Sequence, residues 1–318
     1  MDLTFNNPGY LWLLLSLPLL AVTHFILLKY SKKKAMKFVN FEAMRRVSGI
    51  TLLTKNISIL VLRLSILLFL ILAASGTSFW YYGKANENDF VLAIDASASM
   101  STKDFEPSRL EVAKDAGIEF VDSLTTKTEV GLVSFSGIAF IEQLPTADLL
   151  KVKQRINNID IMVSGGTDLS AAIITSTNML LNSRKGKTII LLTDGSNTAG
   201  PFVDDTIQRG IDYAKKHHVI VHTIGIGTNE SLVGFLPEEL GVKSIFDASA
   251  LEKIADETNG QFYKAEDKED LISAYNDISE ISEEGFLSID LSFIFLLIAL
   301  IIVFIEWGLI NTRFRALP

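Results

Sequence analysis

Three long apolar segments stand out in the pattern of hydrophobic and polar positions along the chain. They cover residues 8–28, 57–79 and 289–310, and each has the roughly 20 residues that a helix needs to cross a bilayer. Between the second and third segments, short apolar runs alternate with mainly polar stretches in which apolar residues recur at helical spacing. The pattern therefore predicts three transmembrane helices and one folded domain.

The first apolar segment could also be interpreted as a secretory signal peptide. A signal peptide begins with basic residues and ends at a cleavage site of small residues. Here Asp2 precedes the segment without any Lys or Arg, and Lys29 and Tyr30 follow it. We therefore expect this segment to be a transmembrane helix.

Basic residues on two flanks set the expected orientation in a cell membrane. Residues 29–55 contain eight Lys or Arg against Glu42 alone, and Arg313 and Arg315 follow the third span. Because cytoplasmic loops are enriched in Lys and Arg, we expect the loop and the C-terminus to be cytoplasmic. The N-terminus and the folded domain are then expected to be extracytoplasmic. The predicted boundaries are 1–29 for the N-terminal segment with the first span, 30–56 for the basic loop, 57–80 for the second span, 84–285 for the domain, 288–310 for the third span and 311–318 for the tail.

Three ionisable residues interrupt the apolar spans: His24, Arg63 and Glu306. With the expected orientation, all three fall in the inner half of the bilayer, where charged side chains are costly and usually paired. One hypothesis is that Arg63 and Glu306 pair, with His24 near them, and so fix how the spans pack. The other is that each side chain reaches the interface separately.

The central domain alternates strands and helices. Such alternation predicts an α/β fold with a mainly parallel sheet and helices on both faces, in which ligands bind at the carboxyl ends of the strands. Predicted strands cover 90–95, 130–135, 138–142 (an antiparallel edge), 188–193, 219–225 and 261–265. Predicted helices cover 107–124, 147–159, 169–182, 204–217, 251–258 and 270–282.

Oxygen-bearing side chains follow two of these strands. Asp95, Ser97 and Ser99 come directly after the first strand, and Asp194 ends the strand 188–193. The glycine-rich stretch Ser164–Leu169 adds Thr167 at the start of a helix. Carboxylates and hydroxyls suit a hard cation such as Mg²⁺. Taken alone, the Asp95–Ser99 pattern is more often a helix cap or a polar turn than a metal site.

Together, and in this order, the three stretches resemble the metal-ion-dependent adhesion site of von Willebrand factor type A (VWA) domains. The resemblance implies a Rossmann-like VWA domain that binds Mg²⁺, or Mn²⁺ or Ca²⁺ in its place. It also implies that two serines and a threonine ligate the metal, that two aspartates bind it directly or through water, and that an Asp or Glu of a partner protein completes its shell. The corresponding residues here are Asp95, Ser97, Ser99, Thr167 and Asp194. Ala98 stands where relatives often carry Gly.

The order span, span, VWA domain, span resembles the Bat (aerotolerance-type) membrane proteins, including the segments Pro8–Leu11 and Leu251–Ala255. This resemblance implies a membrane scaffold in assembly, maturation or stress tolerance, with a MoxR-type AAA+ ATPase and other VWA or TPR proteins as partners. A cell-surface adhesin or receptor that binds an external ligand through the metal is the alternative. Residues 228–247 are either a partner surface or a loop that packs its own apolar side chains.

Composition excludes other classes of function. The 318 residues include no cysteine, which excludes disulfides and thiolate chemistry. Residues 84–284 hold 18 basic and 33 acidic residues, a net charge that argues against nucleic acid. Gly186-Lys187-Thr188 is not a P-loop, because Leu181 stands where the first glycine is required. We expect no enzymatic activity, and we interpret His217, His218 and His222 as helix-end and strand residues.

Overall fold

The computed structural model describes residues 2–35, 52–84, 88–124, 127–162, 166–183, 185–195, 203–227, 248–281 and 284–312. The chain forms two compact units, one of Met1–Tyr81 with Ser288–Pro318 and the other of Tyr82–Leu287. We call them the membrane unit and the central domain. Residues 36–51 of the basic loop and the candidate partner surface at 228–247 lie outside the described residues.

The helices and strands follow the predicted alternation closely. In chain order they are β1 (Asp2–Phe5), α1 (Ser16–Ala35), α2 (Leu52–Ala74), β2 (Thr77–Lys84), β3 (Asn88–Asp95), α3 (Arg109–Ser123), β4 (Val130–Phe135), β5 (Ala139–Thr146), α4 (Leu149–Asn157), α5 (Leu169–Leu180), β6 (Gly186–Thr193), α6 (Val203–Lys216), β7 (Ile220–Ile226), α7 (Ala248–Glu257), β8 (Phe262–Ala265), α8 (Lys268–Ile281), β9 (Glu284–Asp290) and α9 (Ser292–Asn311). Short 3₁₀ segments cover Pro8–Leu15 and Ala98–Ser101. Helix α3 begins two residues later than predicted, behind Ser108, whose hydroxyl accepts from the Glu111 N–H.

The membrane unit contains the three predicted apolar helices. Pro8–Leu27, Ile57–Ala74 and Ser292–Asn311 have mean hydropathies of 2.0, 2.7 and 2.9 and are long enough to cross a membrane. Glycine and polar residues are scarce in all three, so their side chains suit a hydrocarbon environment. The protein is a membrane protein.

The predicted end of the second span is wrong, because helix α2 stops at Ala74 instead of continuing to Phe79. The hydroxyls of Ser75 and Thr77 each donate to the Leu72 carbonyl at 2.8 Å and close the helix. Gly76 turns the chain with a φ of 66°, a conformation that glycine adopts without steric cost. The β-branched and aromatic residues that follow then form strand β2, not a helix end.

Strand β2 belongs to a three-stranded sheet of order β1-β2-β9, which the sequence analysis did not predict. β1 pairs antiparallel with the start of β2, with Phe5 opposite Thr77 and Asp2 opposite Trp80. The Trp80 indole N–H donates to the Thr4 hydroxyl at 2.8 Å. Trp80, Tyr81 and Tyr82, which follow the second apolar segment, are therefore strand residues.

An ion pair links two of the apolar helices of the membrane unit. Arg63 Nε on α2 lies 2.7 Å from Glu306 Oε1 on α9. The predicted pairing of these residues is confirmed. His24 does not join the pair: its ring contacts Phe25 edge-on at 6.0 Å, and its Nε2 has no hydrogen-bond partner among the described residues.

The central domain is built on a six-stranded sheet of order β5-β4-β3-β6-β7-β8. All neighbouring strands are parallel except β4 and β5, so β5 is the antiparallel edge that the sequence predicts. Alternate residues of β3 enter two apolar cores. Phe90, Leu92 and Ile94 pack in one core with Tyr275 of α8, whereas Val91 and Ala93 pack in the other with α5 and α6. Helices therefore cover both faces of the sheet.

Chain direction across the sheet reverses between β3 and β6. From β3 the chain continues outward through β4 to β5, whereas from β6 it continues in the opposite direction through β7 to β8. β3 and β6 are direct neighbours, with Ile94 opposite Leu192. This reversal is the topological switch point at which α/β sheets bind ligands beyond the carboxyl ends of their strands.

Candidate metal centre

Two carboxylates lie together at this switch point. Asp95 is the last residue of β3, and Asp194 directly follows β6. Both side chains are buried, with Asp95 at 0% and Asp194 at 1% exposure. The strand ends therefore bring together, out of water, the two aspartates that the sequence analysis singled out.

Asp95 is held by hydrogen bonds to both of its carboxylate oxygens. The Ser97 backbone N–H donates to Oδ1 at 2.8 Å, and the Thr193 hydroxyl donates to Oδ2 at 2.6 Å. Burial raises the pKa of Asp95 above its ordinary value, and the charge of Asp194 raises it further, against the lowering effect of these donors. Two negative groups in a dry site need a nearby positive charge.

Thr193 contacts this site, and the sequence analysis did not single it out. Its hydroxyl also accepts from the Gly195 N–H at 3.2 Å, and Gly195 turns the chain with a φ of 78°. Thr193 therefore links the end of β6 to Asp95 on the neighbouring strand. A threonine at the end of an apolar strand is ordinary for a β-branched residue, so no sequence pattern distinguishes it.

The two serines follow β3: Ser97 directly precedes the 3₁₀ segment Ala98–Ser101, and Ser99 lies within it. Ser97 Oγ and Ser99 Oγ are 3.0 Å apart. Ser97 is buried and Ser99 is half-buried. Two hydroxyl oxygens this close can contact one ion at the same time, since a hard cation gathers oxygen ligands at about 2.0–2.6 Å.

Backbone hydrogen bonds tie the turn that contains Thr167 to the same edge of the sheet. The Asp168 N–H donates to the Ser136 carbonyl in the β4–β5 turn at 2.7 Å, and the Ala96 N–H donates to the Phe135 carbonyl at 2.7 Å. Thr167 is buried next to Asp168, which caps α5 by accepting from the Ala171 N–H at 2.9 Å. Positions 163–165, which include Ser164 and Gly165, lie outside the described residues.

Arg109 is a second residue that the sequence analysis missed. Its guanidinium is 1% exposed and makes ion pairs with Asp194 at 3.2 Å and with Asp104 at 2.6 Å. Asp104 and Arg109 are five positions apart across the start of a helix, which is not a helical pairing distance. Nothing in the sequence thus indicated that Arg109 would reach Asp194.

The donor set decides which metals the site could hold. Among the described residues, no group of three or more His, Asp or Glu side chains could bind a metal ion. A cation at this edge of the sheet would depend on hydroxyl oxygens beside the two carboxylates. Such an all-oxygen set fits Mg²⁺, Mn²⁺ or Ca²⁺, and the buried pair of negative charges favours a cation.

The histidines lie away from this centre. His222 is buried on β7, where its Nδ1 accepts from the Gln261 N–H at 3.1 Å, and burial lowers its pKa to about 4. The ring of His217 lies 4.6 Å from that of Tyr213 at a tilted angle, and the ring of His218 contacts Phe286 at 5.4 Å. Their interpretation as helix-end and strand residues agrees with these positions.

Comparison with known proteins places the whole chain in a family. Residues 90–197 match the von Willebrand factor type A domain, and residues 1–76 match the aerotolerance regulator N-terminal domain of BatA. A UPF0353 protein of Nocardia farcinica is 30% identical over 279 residues, which cover 82% of this chain and 83% of that protein. The chain belongs to the UPF0353 family. It is a Bat-family membrane protein with a VWA domain, which confirms the resemblance seen in its motifs.

Solved structures share the fold of the UPF0353 central domain. BatB from Bacteroides thetaiotaomicron has a TM-score of 0.52 at 24% identity and covers 61% of this chain and 98% of its own. Proximal thread matrix protein 1 from the mussel byssus was solved with zinc in its metal-ion-dependent adhesion site (MIDAS) motif. It has a TM-score of 0.50 at 19% identity, and the match covers 71% of this chain and 53% of that protein. These likenesses confirm the mainly parallel α/β fold.

Proposed function

We propose that this UPF0353 protein is a membrane-anchored module that binds a partner protein through a divalent metal. Asp95, Ser97, Ser99, Thr167 and Asp194 would hold Mg²⁺, or Mn²⁺ or Ca²⁺ in its place. The observation that carries the proposal is the pair of buried carboxylates at the switch point, beside two hydroxyls 3.0 Å apart. The zinc-occupied motif of the byssus protein, which shares the fold, supports it.

A binding role fits the hydrogen bonds better than a catalytic one. Both oxygens of Asp95 already accept hydrogen bonds, and Asp194 Oδ2 is paired with Arg109. A general base must instead approach the proton that it removes. The metal would supply an open coordination position, and an Asp or Glu of the partner would fill it. We therefore propose no enzymatic activity.

The Bat-family membership supports a scaffold role. The match to the BatA N-terminal domain covers the first two apolar helices and the basic loop between them. We propose that residues 30–56 are cytoplasmic and available to a MoxR-type AAA+ ATPase, while the central domain meets VWA or TPR proteins outside, in assembly, maturation or stress tolerance. An adhesin would need the membrane helices as an anchor alone.

The metal mechanism is tested by capture of partners from mild detergent, with and without EDTA. Asp95→Ala and Thr167→Ala should abolish capture, because each removes an oxygen that would hold the metal, and the melting temperatures of both variants report whether the central domain still folds. Asp160→Ala, which removes an exposed carboxylate, should leave capture unchanged. Capture that persists at full strength in EDTA would exclude the mechanism. Recovery of an AAA+ ATPase favours the scaffold over the adhesin.

Orientation is tested separately with an impermeant thiol reagent on single-cysteine variants, since the chain has no cysteine of its own. A cysteine replacing Ser183 in the central domain should be labelled from outside, whereas one replacing Ser48 in the basic loop should not. Labelling of position 48 in intact cells would reverse the proposed topology.

A further inference from the structure

Arg109 joins the metal centre to two other parts of the central domain. Its Nη1 donates to Asp194 Oδ2 at 3.2 Å. On its other side, Nε and Nη2 donate hydrogen bonds to the two oxygens of the Asp104 carboxylate, at 2.8 and 2.6 Å. This fork geometry fixes the plane of the guanidinium, so the N–H group that faces Asp194 has a set direction.

The backbone at Gly227 closes the third side of the guanidinium. A Cβ placed on Gly227 would lie 3.0 Å from Nη2 and 3.2 Å from Cζ of Arg109. Gly227 has a φ of 150°, which side-chain-bearing residues rarely adopt. The glycine therefore allows the chain after β7 to pack directly against Arg109.

We propose that Arg109 is a positioning residue of the metal centre, which holds Asp194 in its metal-binding orientation while Asp104 and Gly227 hold Arg109. The proposal rests on the function proposed above. It assigns Arg109 no contact with the metal. Its effect is exerted through the carboxylate of Asp194.

The charges of the pair decide the direction of the expected effect. An arginine alone beside the site would repel a divalent cation, but Asp104 balances the charge of Arg109 within the same fork. Together the two residues contribute a directed donor with no net charge. Replacing both Arg109 and Asp104 therefore removes only the hydrogen bond that orders Asp194. With the Asp194 side chain free to rotate, metal binding should weaken about three- to tenfold.

The experiment compares two charge-neutral double variants of the full-length protein in detergent. Arg109→Gln with Asp104→Asn removes the pair that holds Asp194. Glu111→Gln with Lys114→Gln removes an ion pair within helix α3, whose Nζ–Oε1 distance is 2.8 Å. Binding of Mn²⁺ alone is measured by electron paramagnetic resonance, with Asp95→Ala as the baseline for other sites. Melting temperatures without metal report fold stability.

We expect the Arg109/Asp104 variant to bind Mn²⁺ three- to tenfold more weakly than the wild type, and the Glu111/Lys114 variant to bind within twofold of it. Arg109→Lys, which keeps the charge but loses the fork, should also bind more weakly and serves if the double variant does not fold. Unchanged Mn²⁺ affinity in both Arg109 variants would overturn the positioning role alone. Equal loss in the Glu111/Lys114 variant would overturn it as well. Absence of Mn²⁺ binding by the wild type would overturn the proposed function and this inference together.

Discussion

Removing either partner of the Arg63–Glu306 ion pair should cost more stability than removing both. The two atoms are 2.7 Å apart, on helices α2 and α9 of the membrane unit. Arg63 lies six residues beyond Ile57 and Glu306 five residues before Asn311, which places them about 9 and 8 Å along their helices. Each charge is therefore well inside the apolar part of its helix, where a lone charge is unfavourable.

The exposures of the two side chains predict unequal costs. The Arg63 side chain is 51% exposed and Glu306 14%, so a lone Arg63 can extend toward the interface whereas a lone Glu306 stays enclosed. We expect Glu306→Leu to lower the free energy of unfolding by about 1 kcal/mol and Arg63→Leu by about 2–3 kcal/mol. The double leucine variant should lose less than either single variant, because no charge is left unpaired.

The assay is denaturant unfolding in detergent micelles, arranged as a double-mutant cycle. Thr23→Leu serves as the control, since the Thr23 hydroxyl donates to Leu20 within its own helix. Its effect should add to that of each pair variant. If the double leucine variant lost the sum of the two single effects, the side chains would act independently and the pair would not hold the helices together.

Two further predictions concern the central domain. His222 has a pKa of about 4 when folded against 6.5 as its ordinary value, so the folded state resists protonation and stability should fall by about 2–3 kcal/mol as the pH drops from 6.5 to 4. Unfolding curves of His222→Asn, which retains an acceptor for Gln261, should lose this pH dependence; an unchanged dependence would assign it to another group. Thr193→Val removes a 2.6 Å hydrogen bond to buried Asp95 and should cost about 1.5–3 kcal/mol in denaturant unfolding. Thr188→Val on the same strand should cost less, and equal costs would contradict a specific role for Thr193.

The sheet of the central domain could be predicted because its strands are short apolar runs bounded by polar turns. β3, β4, β6 and β7 are buried at every position, which is the pattern of parallel strands covered on both faces. The strands of the small sheet gave no such signal. β2 directly continues an apolar helix, and in a run of hydrophobic residues only the turn at Gly76 separates helix from strand.

The residues of the candidate metal site are readable along the chain because each stands at a strand or helix end. Arg109 and Thr193 are not, since their contacts cross between elements: Thr193 reaches Asp95 on the next strand, and Arg109 reaches Asp194 from helix α3. Spacing along the chain describes neighbours within one element and says nothing about these. Residues that support a site from other elements become visible once the fold is known.

The charges gathered at the switch point favour a divalent over a monovalent ion at the proposed site. Asp95, Asp104 and Asp194 carry three negative charges when ionised, and Arg109 returns one. The remaining charge of about −2 lies in a buried region, where unbalanced charge is costly. One divalent cation would neutralise this charge, whereas one Na⁺ or K⁺ would neutralise half of it. Because Asp104 balances Arg109, the net charge that a cation at the proposed site would meet comes from Asp95 and Asp194.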